Sequence, residues 1–382
     1  MARLARSEVL APDEIATVHL MARTVRRCFL FGQDPLTGKN YDHRKPWIEQ
    51  QLLRLAASMG IDLLAFSILS NHFHLVLRTR PDVVATWDDT EVARRWLTLC
   101  PLRKCADDGP GTISEYDLNS IRHDPVKLKE IRSRLSDASW WMRLLCQRIA
   151  VRANREDEEL GKFFQARYRA VKLLDEAAIL ACAAYVDLNP IRAKLAETLE
   201  TSDFTSVQRR IESLGEEPQQ TDADALVVTE QISELPGEAQ TPDLSSPVIS
   251  IPVATRKADR FLSPILIDEL RDPLGPHASS SGNRCSDKGF LPMNQVDYLE
   301  LLDWTARQAK PGQRGTAPES LAPIFQRLSM SGETWSHLVN NFGRLFSTVA
   351  GQPRTIEGAR SRRRHQRFRV PKETRELLAT ES

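Results

Sequence analysis

The run 61–79, IDLLAFSILSNHFHLVLRT, constrains the fold more than any other part of the chain. Two apolar stretches of strand length flank Ser70-Asn71, a short polar pair of the kind that closes a β-hairpin. Side chains alternate along a strand, so Phe73, Leu75 and Leu77 share one face while His72, His74 and Val76 share the other. The first face is wholly apolar and has to be buried. The second presents two imidazoles on a rigid support, within about 7 Å of each other and so able to reach one divalent ion.

The flanking segments supply the rest of a sheet. Residues 15–31 alternate and carry enough Val, Thr and Phe to read as a strand, and 162–174 reads as another. Residues 44–59 have helical spacing and stop at Gly60. Residues 136–155 form a basic amphipathic helix. The stretch 175–188 opens with acidic residues, favourable at a helix N-terminus, and stops at Asn189-Pro190. Asp88-Asp89, Pro101, Gly109-Pro110-Gly111 and His123-Asp124-Pro125 break any long period in 81–134, which predicts loops with short helices. Helical periods return in 293–350, with Trp304 and Trp335 as core candidates. The order strand, helix, hairpin, helix, strand, helix predicts an α+β fold with helices on one face of the sheet and a mainly helical C-terminal region.

A chain of 382 residues exceeds what one core usually holds and predicts two or three domains. Its 52 Lys and Arg nearly balance 51 Asp and Glu, but the charges are segregated. No basic residue lies between Arg210 and Arg256, while nine Asp or Glu and five Pro do, so 214–259 reads as an acidic flexible linker. Six arginines fall in the ten residues from Arg360 to Arg369. The expected division is therefore 1–213, a linker, and 260–382 with an Arg-rich tail; 81–134 reads as an insertion in the first part. No apolar run is long enough to span a membrane, and the first residues lack the apolar core of a secretory signal. Six scattered cysteines without a CxxC pair argue against a zinc ribbon or disulfide scaffold and fit a reducing cytoplasm.

An isolated His-x-His strand is more often a pair of ordinary histidines than a metal site. It lacks the following Asp-His of a binuclear zinc hydrolase, and it occurs once where two-histidine phosphoesterases need two motifs. The helix near 185 sharpens the reading. Tyr185 and Asn189 are four apart and share a helical face. A tyrosine hydroxyl is a competent nucleophile, and an amide oxygen can join two imidazoles around a metal. Taken alone, Tyr185 also reads as a core aromatic and Asn189 as a helix terminator before proline.

In this order, the segments SILSNHFHLVLRT (67–79), FFQARYRAVKLLDEAAILACAAYVDLNPIRAKLAE (163–197) and SDFTSVQRRI (202–211) resemble the single-tyrosine HUH transposases, specifically the REP-associated tyrosine transposases. The resemblance covers roughly residues 10–213. It implies a ferredoxin-like or RRM-like antiparallel sheet with the histidines on a central strand. It further implies Mg²⁺ or Mn²⁺ on His72 and His74, Asn189 as third ligand, Tyr185 as nucleophile, and a 5′-phosphotyrosine with a free 3′-OH. The implied partner is single-stranded or hairpin-forming DNA, in the bacterial cytoplasm or nucleoid. Monomer and homodimer both stay open.

The chemistry asks for such residues. Free tyrosine, with a pKa near 10, is almost entirely protonated at pH 7, so a cation at the phosphate has much to contribute. Neutral imidazole is the ligating form, which predicts loss of activity as pH drops through about 6. The phosphotyrosine bond conserves the ester's energy, and no P-loop GxxxxGK[ST] is present. Arg148, Arg152, Arg155, Arg167, Arg169, Lys172, Arg192 and Lys194 surround the tyrosine helix in sequence, with Phe163, Phe164 and Tyr168 interleaved as stacking candidates. Arg362, Arg363 and Arg364 in the tail are further phosphate-binding candidates. Two other functions stay open: a regulator that grips folded nucleic acid without cutting, and a host-serving nickase of chromosomal repeats.

Overall fold

The computed structural model describes residues 13–103, 113–215, 258–268, 275–308 and 317–361. The central element is a five-stranded sheet. Its strands are β1 (Thr17–Arg23), β2 (Ile61–Ile68), β3 (His72–Thr79), β4 (Arg169–Leu173) and β5 (Val349–Ala350). They lie in the order β2-β3-β1-β4-β5. All pairs are antiparallel except β4 with β5. The first four strands have the expected ferredoxin-like order, and β2 and β3 form the hairpin read from the sequence. The hairpin closes through Leu69 N–H donating to His72 O at 2.9 Å.

The two strands predicted on either side of the hairpin in sequence are shorter than their patterns. The stretch read as 15–31 is strand only to Arg23, because Arg26 and Arg27 have positive φ and turn the chain away. The stretch read as 162–174 pairs only from Arg169.

On one face, Val18, Leu20, Phe73, Leu75 and Leu77 are fully buried. They pack with α1 (Lys45–Ser58) and, later in the chain, α6 (Ala138–Glu156), through Leu52, Leu55, Trp141 and Leu145. Four short helices lie in the region read as loops with short helices: α2 (Pro81–Thr86), α3 (Asp89–Leu99), α4 (Glu115–Arg122) and α5 (Pro125–Leu135). Of the residues read as breaking the period, Asp88, Asp124 and Pro125 start helices. Pro81 and Pro125 sit in first turns, where no N–H is needed. Asp88, Ser114 and Asp124 accept hydrogen bonds as N-caps, Ser114 within a capping box.

The opposite face is covered as well, which corrects the expectation of helices on one side only. Helix α7 (Glu176–Asp187) packs over Leu64, Val76, Val171 and Leu173. The short α8 (Asn189–Arg192) and then α9 (Ser206–Gly215) follow it. The C-terminal region is mainly helical, as expected: α10 (Gln295–Gln308), α11 (Ala322–Leu328), α12 (Gly332–Leu345) and α13 (Pro353–Ser361). Trp304 and Trp335 are buried there.

The packing does not divide near residue 213. One apolar cluster joins α7 to Tyr298, Leu301, Leu338 and Phe342, and β5 extends the sheet itself. Buried polar groups cross the same junction. Tyr298 donates to Asp187 Oδ2 at 2.7 Å, and Arg210 donates to the carbonyls of Leu64 (3.0 Å) and Ser263 (2.9 Å). Arg80 bridges Asp62 at 3.1 Å and Ser286 Oγ at 2.6 Å. A buried charge left without its partner is strongly destabilising, so these bonds tie the two parts tightly. Most of the acidic segment 214–259 and all of the Arg-rich run beyond Ser361 lie outside the described residues, including Arg362, Arg363 and Arg364.

Candidate active site

Strand alternation carries His72 and His74 away from the apolar core, and the antiparallel neighbour β1 sets His19, Met21 and Arg23 beside them. Met21 pairs with His74 and Arg23 with His72. Helix α7 crosses this face and delivers Tyr185. The result is a cavity of about 240 Å³ lined by His19, His72, His74 and Tyr185, by Arg23, Arg169, Arg192 and Arg344, and by residues 340–343 of α12.

Hydrogen bonds orient both imidazoles. Asn71 Nδ2 donates to Arg27 O at 3.0 Å, so Asn71 Oδ1 faces His72 Nδ1 at 2.6 Å and must accept from it. That fixes the His72 proton on Nδ1 and leaves Nε2 as the lone-pair nitrogen. His74 Nδ1 lies 2.9 Å from His19 Nε2, with the two rings stacked at 5.1 Å. Its own Nε2 is buried and has no hydrogen-bond partner. When His74 donates from Nδ1, that nitrogen is also a free lone pair.

All three histidines are neutral at ordinary pH. Burial first, then the Arg169 charge, lowers His19 to about 3. Burial, then Arg23, lowers His72 to about 4. His74 is held well below its ordinary value by burial and then by His19, His72 and two arginines. The neutral form therefore persists well below the pH of about 6 expected from free imidazole.

The tyrosine stands among these groups. Its ring centroid is 5.4 Å from that of His74, 5.8 Å from His19 and 5.6 Å from Phe342. The Arg192 guanidinium sits 4.9 Å from the same ring. Among the described residues no carboxylate lines the cavity, whereas four arginines do. Such a site attracts an anion with several oxygens, which arginine binds through its planar fork.

Asn189 does not line the cavity. It is buried, its Nδ2 unpartnered. The shared-face argument assumed one continuous helix, but α7 ends at Asp187, and Leu188, with ψ near −1°, starts a new short helix. The turn brings Arg192 over the tyrosine instead. Arg169 and Arg192 are thus at the site, and the other basic candidates are not among its lining. Arg148 donates to Gln51 at 2.9 Å and to Leu99 O, on the apolar-core side. Arg152 stacks over Trp47, and Lys172 is paired with Glu14 at 2.7 Å. Arg167, Arg155 and Lys194 are exposed. Phe163, Phe164 and Tyr168 pack into or against the core rather than lining the cavity. Sequence reasoning missed His19, Arg23, Arg344 and residues 340–343. Strand parity in TVHLMAR groups the first two, but nothing local pairs that strand with the histidine strand.

The two oriented imidazoles, one with a buried orphan nitrogen, fit a divalent ion as a nitrogen pair. Such donors suit Mn²⁺ better than the oxygen-seeking Mg²⁺. His19 cannot be a further ligand through Nε2, which is engaged with His74. Among the described residues no group of three His, Cys, Asp or Glu is arranged to hold an ion.

No family model matches the chain, and no curated protein matches it. Among solved structures, the chain is similar to a REP-associated tyrosine transposase bound to a REP hairpin. The identity is 11%, with 55% of this chain and 86% of that one covered and a TM-score of 0.32. A likeness that remote assigns neither family nor activity. No described helix is long and apolar enough to cross a membrane.

Proposed function

We propose that the protein cleaves and rejoins single-stranded, hairpin-forming DNA through Tyr185, as a metal-dependent transposase of the HUH type. One observation carries this reading: a tyrosine, two neutral imidazoles with fixed partners and four arginines line one cavity, with no carboxylate beside them among the described residues. A divalent ion held by His72 and His74 would polarise the scissile phosphate.

The chain's own residues account for the rest. Arg23, Arg169, Arg192 and Arg344 draw the phosphodiester in and hold its oxygens. Tyr185 Oη attacks phosphorus in line with the 3′ oxygen, forming the Tyr–O–P bond as the P–O3′ bond breaks. The tyrosine loses its proton and the leaving oxygen gains one, so charge balances overall. A 5′-phosphotyrosine and a free 3′-OH result, and attack by another 3′-OH reverses the step without ATP.

The test is incubation with labelled single-stranded hairpin DNA and Mn²⁺ or Mg²⁺. The native protein should form a covalent adduct resistant to denaturation. Tyr185→Phe should form none while binding DNA as before, and excess chelator should abolish the native adduct. A second reading, a non-cleaving binder of structured nucleic acid, is favoured by one specific feature: Asn189 is not among the residues lining the cavity, and among the described residues no group of three His, Cys, Asp or Glu is arranged to hold an ion. Tight hairpin binding with no adduct in either metal would establish that reading instead.

A further inference from the structure

Gly343 lies inside α12, where alanine is the better helix former. Its φ is outside the left-handed region, so conformational freedom does not explain it. Space does. A Cβ at 343 would lie 2.9 Å from Tyr185 Oη and 3.4 Å from Cζ. The preceding residue, Phe342, is fully buried and packs its ring 5.6 Å from the tyrosine ring, tilted by 31°. Two residues earlier, the Asn340 carbonyl accepts from Arg192 Nη2, and that guanidinium lies over the same tyrosine. Three features within four residues of one helix end therefore converge on a single side chain carried by another helix.

We propose that the end of α12 is a positioning element for Tyr185. Gly343 leaves the gap that Oη occupies, Phe342 sets the ring plane, and Asn340 anchors the arginine over it. The proposal rests on the reading above only in taking Tyr185 as the attacking group. It assigns to the C-terminal part a share in building the site, whereas the resemblance read from the sequence placed nucleophile and ligands within residues 10–213 alone.

The test is Gly343→Ala in the full chain, alone and combined with Tyr185→Phe. With the tyrosine present, the added methyl should lower the melting temperature. In the Tyr185→Phe background the clashing oxygen is gone, and the same change should raise it. At saturating hairpin DNA, Gly343→Ala should slow adduct formation by about tenfold or more, since small misplacements of a reacting group are costly. Hairpin affinity should stay within about twofold, because DNA is held chiefly by arginine–phosphate contacts. Phe342→Leu should show the same split of rate from affinity. If Gly343→Ala does not fold alone, recovery of folding with Tyr185→Phe is the same result in stronger form. An equal rise in melting temperature in both backgrounds, no recovery, or an unchanged rate would overturn the proposal. If the native protein forms no adduct at all, the proposed cleavage fails, yet the reversal in sign of the stability effect still decides the positioning claim.

Discussion

Along β3, Phe73, Leu75 and Leu77 are sealed beneath α1 and α6, while His72 and His74 line an arginine-ringed cavity. Both faces come from the same eight residues, and their neighbours on β1 obey the same alternation. The sealed face is held by burial that any apolar side chain of suitable volume could supply. The cavity face depends on particular atoms: an Asn71 carbonyl oxygen, a His19 nitrogen, a tyrosine hydroxyl. Damage to the first should register as lost stability, and damage to the second as lost chemistry.

The largest expected effect comes from removing everything after residue 215. That exposes the apolar surface of α7 and takes the Tyr298 hydroxyl away from the buried Asp187 carboxyl, leaving it only Ser206 and Val207 as donors. The truncated chain should bind hydrophobic dyes and lose cooperative unfolding. A stable, two-state 1–215 would show that the second helical cover is dispensable.

Next is the direct contrast on β3. Leu75→Ala should cost about 2–5 kcal/mol in denaturant unfolding. His72→Ala, at the half-buried rim, should change stability by about 1 kcal/mol or less while eliminating adduct formation. Similar stability losses for the two would break the division between the faces.

Acid should act through the cavity face. Above the ordinary imidazole value of 6.5, His19 and His72 are neutral whether folded or not. Below it, the unfolded chain takes up protons that the folded chain refuses, so these groups make stability fall as pH drops from 6.5 toward 4. Around 4, His72 begins to protonate in the folded state and its contribution levels off. His19→Gln should flatten this decline, as measured by denaturant midpoints across that range; an unchanged profile would contradict the assignment.

How much of this was legible in the sequence follows from how local each feature is. The hairpin, the parity of His72 and His74, and the helix carrying Tyr185 are written in short-range alternation and caps. In 81–134 the short helices were expected but their bounds were not legible, because proline and aspartate mark helix starts as readily as breaks. Asn189 was misplaced because one residue's ψ ended a helix that spacing alone continues. His19, Arg23 and the end of α12 were invisible for a different reason: their meeting with Tyr185 depends on strand pairing and helix docking over long separations, for which no local pattern exists.

The smallest expected effect concerns the exposed cations. Arg169→Ala should weaken hairpin binding and reduce the magnitude of its salt slope by about 0.7, the contribution of one phosphate contact on single-stranded DNA. Arg167→Ala, which is exposed but not at the cavity, should leave the slope unchanged.

The most direct measurement is to locate the bond to DNA. After reaction with hairpin DNA, nuclease trimming and trypsin digestion, peptide mass spectrometry should find a nucleotide phosphate on the fragment spanning residues 173–192, at Tyr185. A nucleotide on another residue, such as Tyr168, whose hydroxyl lies 3.1 Å from Ser139 Oγ and away from the cavity, would contradict the account.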